Sequence, residues 1–243
     1  MKNLKLIYSM LLFITLILIA ELNIASVEGA YEKWGKRYYN AGTIKINDPK
    51  MGLFGSVSTD KALMHINLID IAKLTGHLCG GSASGFFMTK LALENLYEPK
   101  EIPCRGDIKL TSNANGDLMD VAAYIVGVSK KDHYGHKTLI LDKKINTKKG
   151  ILVLIFERFS TGKKVRIQWD KVGTLTNHVG DLKRFKKIKV ETIHGKANKT
   201  DSRRFKKLLN SFVNEIIKGN IKYDLKILNK GKSFKNNKIK KNN

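Results

Sequence analysis

The feature of this chain best suited to chemistry is an imidazole and a thiol two residues apart. His77 and Cys79 stand within residues 76–81, which read GHLCGG. Imidazole nitrogen and thiolate sulfur are ligands of zinc and related transition ions, and the glycines let the backbone come close without Cβ clashes. A helix start after the turn would lower the pKa of Cys79 and favour the thiolate. Both residues are therefore metal-ligand candidates, although the pair also fits a turn histidine beside a buried cysteine.

Helices are expected on both sides of this turn. Apolar residues recur at three- and four-residue spacing over 59–76, and residues 82–96 are rich in Ala, Leu, Phe and Met, so each range predicts a helix. Residues 117–127 predict a third helix with one apolar face. A short helix is expected within 31–40, and residues 42–58 read as a connecting loop.

The second half of the chain favours strands and one long helix. Turn residues at 160–163 separate two β-rich runs and predict an antiparallel hairpin. The helix expected over 203–218 would be capped by Asp201 or Ser202 and would end at Gly219. The segments that read as strands are 106–111, 137–142, 151–156 and 164–169, and 188–193 could add another. Because helices and hairpins come in separate blocks, the fold class predicted is α+β, with the helices and the G-H-x-C turn packed on a mostly antiparallel sheet.

The ends of the chain predict export. Lys2 and Lys5 precede an uncharged apolar run over 6–20 and small residues in the later 20s, as in a secretory signal peptide. Residues 1–30 are thus expected to be a signal peptide or an N-terminal anchor, 31–228 a single domain with a basic C-terminal helix, and 229–243 a disordered Lys-rich tail. The protein is expected in the periplasm, outside the cell or tethered by its N-terminus.

The charge balance points to anionic partners. The 243 residues include 45 Lys and Arg against 21 Asp and Glu, a formal net charge of +24. Residues 182–209 are the most basic stretch, but no nucleic-acid motif accompanies them, so an anionic envelope surface is expected and sequence-specific nucleic-acid binding is not. No G-x-S-x-G, Gly-rich phosphate loop or H-E-x-x-H occurs, which leaves an unpatterned Cys/His site as the route to catalysis.

Residues 71–81, IAKLTGHLCGG, resemble the G-H-x-C-x-G signature of the formylmethanofuran dehydrogenase (FmdE) family. Asp120 and Gly127 stand seven apart, as in that family's second block. Residues 135–139 (GHKTL) resemble the end of that block, and residues 160–166 (STGKKVR) resemble its T-G-K-x-x-R strand pair. The resemblance spans about residues 60 to 170. It implies an α+β core with a metal or active-site cleft at the G-H-x-C turn, often in a homodimer.

The chain departs from the family pattern at its thiols. Asp117 stands where the family has a cysteine three positions before the aspartate, and Val128 replaces the cysteine after the glycine. The family's C-terminal zinc-finger extension is absent, because Cys79 and Cys104 are the only cysteines. A site built on those family thiols has been rebuilt or lost here, and Asp117 could ligate through oxygen.

Two ligands hold zinc poorly, so a third protein group is needed beside His77 and Cys79. We rank the candidates Asp117, Cys104, Asp120 and His65, in that order, since the resemblance gives Asp117 a ligand position. A Cys79–Cys104 disulfide stays open for an exported chain. The expected function is binding of zinc or another divalent transition metal; the alternatives are an enzyme that uses the same His/Cys site and a metal-free, basic envelope-binding protein.

Overall fold

The structure, a computed structural model, describes residues 36–58, 62–129, 138–146 and 148–228, together with Thr15. The chain divides into two compact units at Gly42. The first unit contains helix α1 (Lys36–Tyr39), inside the range 31–40 predicted for a helix. Within the described residues, no helix has the length and apolar character needed to cross a membrane. The predicted signal peptide and Lys-rich tail lie outside the described residues.

The second unit opens with a two-stranded antiparallel sheet, where a loop was predicted. Strands β1 (Ile44–Asn47) and β2 (Leu63–Ile66) pair, and helix α2 (Pro49–Leu53) lies between them in the chain. The predictions of a loop over 42–58 and of a helix across 63–66 were wrong. Ile44 and Ile66 are buried partners across the two strands, so apolar residues that fit a helical spacing serve a sheet instead.

The helix before the G-H-x-C turn starts later than predicted because Asn67 caps it. The Asn67 side chain accepts hydrogen bonds from the N–H groups of Ile69 and Asp70, and the Asp70 carboxylate accepts one from the Asn67 N–H at 2.9 Å. This reciprocal cap fixes the start of helix α3 (Leu68–Thr75).

Two helices in close contact follow the turn. Helix α4 (Gly80–Leu96) is buried over most of its circumference, and helix α5 (Asp117–Val126) packs against it. A Cβ added at Gly85 would lie only 2.8 Å from the Leu118 carbonyl oxygen, so the contact depends on glycine. The predicted helices 82–96 and 117–127 are confirmed, with α4 beginning two residues earlier.

A five-stranded mixed sheet supports the helices. Its order is β4-β3-β5-β6-β7, with β3 and β4 parallel and the other neighbours antiparallel. Helix α4 packs against β5 and β6, whose buried residues alternate with exposed ones along β6. The strands are β3 (Ile108–Ser112), β4 (Leu139–Leu141), β5 (Ile151–Arg158), β6 (Lys164–Asp170) and β7 (Asp224–Leu228). The predicted hairpin is confirmed as β5–β6.

Three helices lie between β6 and β7, where the sequence predicted one. They are α6 (Lys171–Val179), α7 (Leu182–Ile193) and α8 (Lys199–Ile217). The strand suggested over 188–193 was wrong, because the Asp181 side chain caps α7 and Ile188 packs with Phe205 of α8. The cap of α8 is Asn198 rather than Asp201 or Ser202. Together the helices and sheets confirm the predicted α+β class.

Candidate metal centre

The turn between α3 and α4 presents the histidine and the cysteine. Helix α3 ends at Thr75, and Gly76 adopts a left-handed conformation at φ 70°, which glycine tolerates without strain. Cys79 has extended backbone angles and is the cap residue of α4. The two candidate ligands therefore sit on a connection of four residues between two helices.

Thr75 orients the His77 ring. His77 Nδ1 lies 2.8 Å from the Thr75 carbonyl oxygen, an acceptor only, so Nδ1 carries the proton in the neutral ring. The Thr75 hydroxyl also donates to the His77 carbonyl oxygen. The lone pair of Nε2 is left free for a ligand, which is the arrangement usual for a metal-bound histidine.

Cys79 is held by α4 and by Asp117. Its N–H donates to Ser82 Oγ at 2.8 Å, and its thiol donates to Asp117 Oδ2 at 3.0 Å. Burial raises the pKa of Cys79, the hydrogen bond and the negative charge of Asp117 raise it further, and the Ser82 backbone acts in the opposite direction. The prediction that the helix start would lower this pKa was therefore wrong. A metal ion bound here would displace the thiol proton.

Asp117 completes a group of three ligand atoms. It is the first residue of α5, and its Oδ2 lies 3.4 Å from His77 Nε2. The ligand atoms of His77, Cys79 and Asp117 all lie within 4.8 Å of one another. Metal–ligand distances of about 2.0–2.3 Å at tetrahedral angles place ligand atoms roughly 3.3–3.6 Å apart. The spacing around Asp117 is close to that requirement.

The other three ranked candidates lie apart from this group. His65 is exposed on strand β2 opposite Lys45, not on a helix as expected. Asp120 is exposed one turn along α5. Neither these two nor Cys104 joins His77, Cys79 and Asp117 as a candidate metal group within the described part of the chain.

Cys104 belongs to a different environment. It forms a bridge to Asn47 at the end of β1, and its N–H points to Tyr97 Oη at 3.4 Å. Cys79 and Cys104 are both free, so the disulfide that the sequence left open is not formed in the structure. His133 and His136, an H-x-x-H pair in the sequence, lie outside the described residues.

A cavity of about 430 Å³ adjoins the candidate centre. His77 and Cys79 line one part of it, and most of the remaining lining is apolar. A Cβ added at Gly80 would lie 2.6 Å from Phe212 Cε1 and 3.7 Å from Trp169 Cη2, so glycine admits both rings to the start of α4. The cavity thus joins the G-H-x-C turn to the sheet and to helix α8.

Sequence reasoning missed the residues that support the site. Thr75 carried a signal, because a hydroxyl residue two positions before a ligand histidine can orient it locally. Trp169 and Phe212 carried none, since they are far from the turn in sequence and meet it only through the packing of β6 and α8 against α4.

The fold and site define a class: an α+β protein with a His/Cys/Asp candidate metal centre at a helix–turn–helix junction. The family model described as "FmdE, Molybdenum formylmethanofuran dehydrogenase operon" matches residues 74–222, more than half of the 243 residues. The chain belongs to the FmdE family. No curated protein and no solved structure matches it significantly.

Proposed function

We propose that this FmdE-family protein binds a divalent transition metal, zinc in the first instance, through His77, Cys79 and Asp117. Its work would be metal handling, delivery or a structural role in the cell envelope. The observation that supports this most strongly is the convergence of an imidazole nitrogen, a thiol and a carboxylate from two separate helix starts.

Charge and chemistry favour a divalent ion at this point. A thiolate and a carboxylate carry two negative charges, and the neutral imidazole adds a lone pair, so the three ligands balance one divalent cation. Sulfur and nitrogen select borderline ions such as zinc over magnesium or calcium. The Thr75 carbonyl already holds the second nitrogen of His77, which fixes the ring before any metal arrives.

Export and an envelope location are part of the proposal, on the strength of the N-terminal pattern and the charge. Lys2 and Lys5 before an apolar run support a signal peptide or an anchor. The formal net charge of +24 supports contact with an anionic envelope surface. The family resemblance supports a homodimer.

Elemental analysis tests the metal proposal. The protein, purified without chelator, should carry close to one equivalent of zinc or another transition metal per chain. A content below about a tenth of an equivalent, with none taken up on zinc dialysis, would contradict metal binding and favour the metal-free, envelope-binding alternative.

Mapping the N-terminus of the protein from its native cells tests export. A mature chain should begin between residues 21 and 31, because the small residues that suit a signal peptidase lie there. An intact Met1 terminus in the membrane fraction would convert the proposal to a tethered protein. An intact terminus in the cytosol would contradict export.

A second function, a metal-dependent enzyme, is favoured by one observation. Three protein ligands leave a tetrahedral ion one open position, and the cavity lined by His77 and Cys79 adjoins them. Cobalt-substituted protein distinguishes the two functions: a visible spectrum that changes with added azide shows an exchangeable position, and an unchanged spectrum favours a closed, structural or carrier site.

A further inference from the structure

The cavity beside the candidate centre has the dimensions and walls of a small-molecule site. Its volume of about 430 Å³ falls within the range of roughly 300–1,000 Å³ typical of ligand pockets. Four aromatic side chains line it, and all four are buried: Trp169, Phe185, Phe205 and Phe212.

The aromatic walls form two contacting pairs. Trp169 of β6 and Phe212 of α8 are stacked with centroids 6.3 Å apart, and Phe185 of α7 lies 5.3 Å from Phe205 of α8. Buried rings in contact are fixed in position, so the apolar surface exists before a ligand arrives. Ile193 of α7, 66% exposed, leaves part of this apolar lining open to solvent.

Three lysines give the cavity its charge. Lys171, Lys189 and Lys206 line it from α6, α7 and α8, and all three are exposed. None has an acidic partner among the described residues, whereas Lys187 on the same helix as Lys189 pairs with Glu191. No Asp or Glu belongs to the described lining. An apolar cavity with three unpaired cations suits a ligand with an apolar body and a negative head.

We propose that this cavity binds a small amphipathic anion: an apolar body of about ten carbons with a single carboxylate. The apolar body would lie among the four rings, and the carboxylate would pair with the lysines. A divalent ion bound by Cys79 and Asp117 would already be neutralised by them, so the lysines hold the positive charge that an anion would seek. This inference deepens the proposed function by placing a ligand beside the metal, but binding itself does not require the metal.

Titration calorimetry with three ten-carbon probes tests the proposal on purified protein free of detergent, both as purified and after chelator treatment. Decanoate, decan-1-ol and decyltrimethylammonium share an apolar chain and differ in head charge. Decanoate should bind about tenfold tighter than the alcohol, and the cation weakest, because exposed ion pairs each contribute modestly and three add. Equal binding of decanoate and decanol, or no binding of decanoate, would overturn the proposal.

A matched pair of triple variants separates a built site from general attraction to a basic protein. Lys171→Gln, Lys189→Gln and Lys206→Gln together should lower decanoate affinity about tenfold, to that of the alcohol. The control carries Lys183→Gln, Lys186→Gln and Lys207→Gln, three exposed lysines on α7 and α8 outside the cavity lining. It loses the same charge and should keep wild-type affinity. Equal losses in both variants would overturn the proposal.

Trp169 reports where the ligand sits. The chain has two tryptophans, Trp34 and Trp169, so Trp34→Phe leaves the cavity residue as the only indole. Decanoate should change its emission with the same affinity that calorimetry gives, and unchanged emission at saturation would overturn the assignment to this cavity. If chelator-treated protein binds decanoate but never takes up zinc, the metal proposal fails alone. If the protein holds zinc but ignores decanoate, the cavity proposal fails alone.

Discussion

Replacing His77 with alanine, Cys79 with serine or Asp117 with asparagine is expected to weaken zinc binding by at least about a hundredfold each. Loss of an outer partner of a metal ligand costs roughly 10–100-fold in affinity, and loss of a ligand itself costs more. With three protein ligands, each change leaves two, which hold zinc poorly. Competition with a chromophoric chelator measures the affinity of each variant.

The chain supplies matched controls for these three changes. Substitution of His65 by alanine, Cys104 by serine and Asp120 by asparagine alters the same residue types outside the group. These controls should keep wild-type affinity. His77 and Asp117 have side chains 52% and 39% exposed, so their variants should fold, which thermal unfolding checks. Wild-type affinity in the Cys79 variant, or a large loss in a control, would place the metal elsewhere.

Gly85→Ala is expected to weaken zinc binding about tenfold without changing any ligand. The added Cβ would lie 2.8 Å from the Leu118 carbonyl oxygen and 3.0 Å from Val121 Cβ. Helices α4 and α5 would have to separate, and Asp117 would move with α5 away from Cys79. Crowding of this kind costs about 1–3 kcal/mol of unfolding free energy, partly offset by the better helix propensity of alanine. Denaturant unfolding and the zinc competition assay measure both effects.

Gly81→Ala is the control for stability. It makes the same substitution in the same helix, but its Cβ would meet Cys79 Sγ at 3.5 Å and Asp117 Cβ at 3.6 Å, which are ordinary contacts. Its unfolding free energy should equal or exceed that of the wild type, since alanine favours a helix over glycine. If Gly85→Ala is as stable as Gly81→Ala, the close approach of α4 and α5 does not depend on glycine.

Local patterns predicted the elements around the site well. The bounds of α5 followed from its apolar face and from Gly127, and the β5–β6 hairpin followed from the turn residues at 160–163. The α+β class followed from these blocks. Helix α7 was misread because β-branched residues near 188–193 favour strands in isolation, whereas the Asp181 cap and packing on Phe205 make a helix.

The arrangement of the site was only partly readable. His77 and Cys79 are neighbours in sequence, so one turn presents both. Asp117 lies 38 residues from Cys79 and reaches it through the contact at Gly85, which no local pattern encodes. Its first rank came from the family resemblance. His65 was placed on a helix because Leu63 and Ile66 fit a helical spacing, yet the pairing of β2 with β1 decides the segment.

Anomalous X-ray diffraction at the zinc edge, from a crystal of the zinc-loaded protein, tests the central claim most directly. The account predicts one strong peak at about 2.0–2.3 Å from His77 Nε2, Cys79 Sγ and an Asp117 carboxylate oxygen. A peak bound to other residues, or no peak within bonding distance of Cys79 Sγ in fully loaded protein, would contradict it.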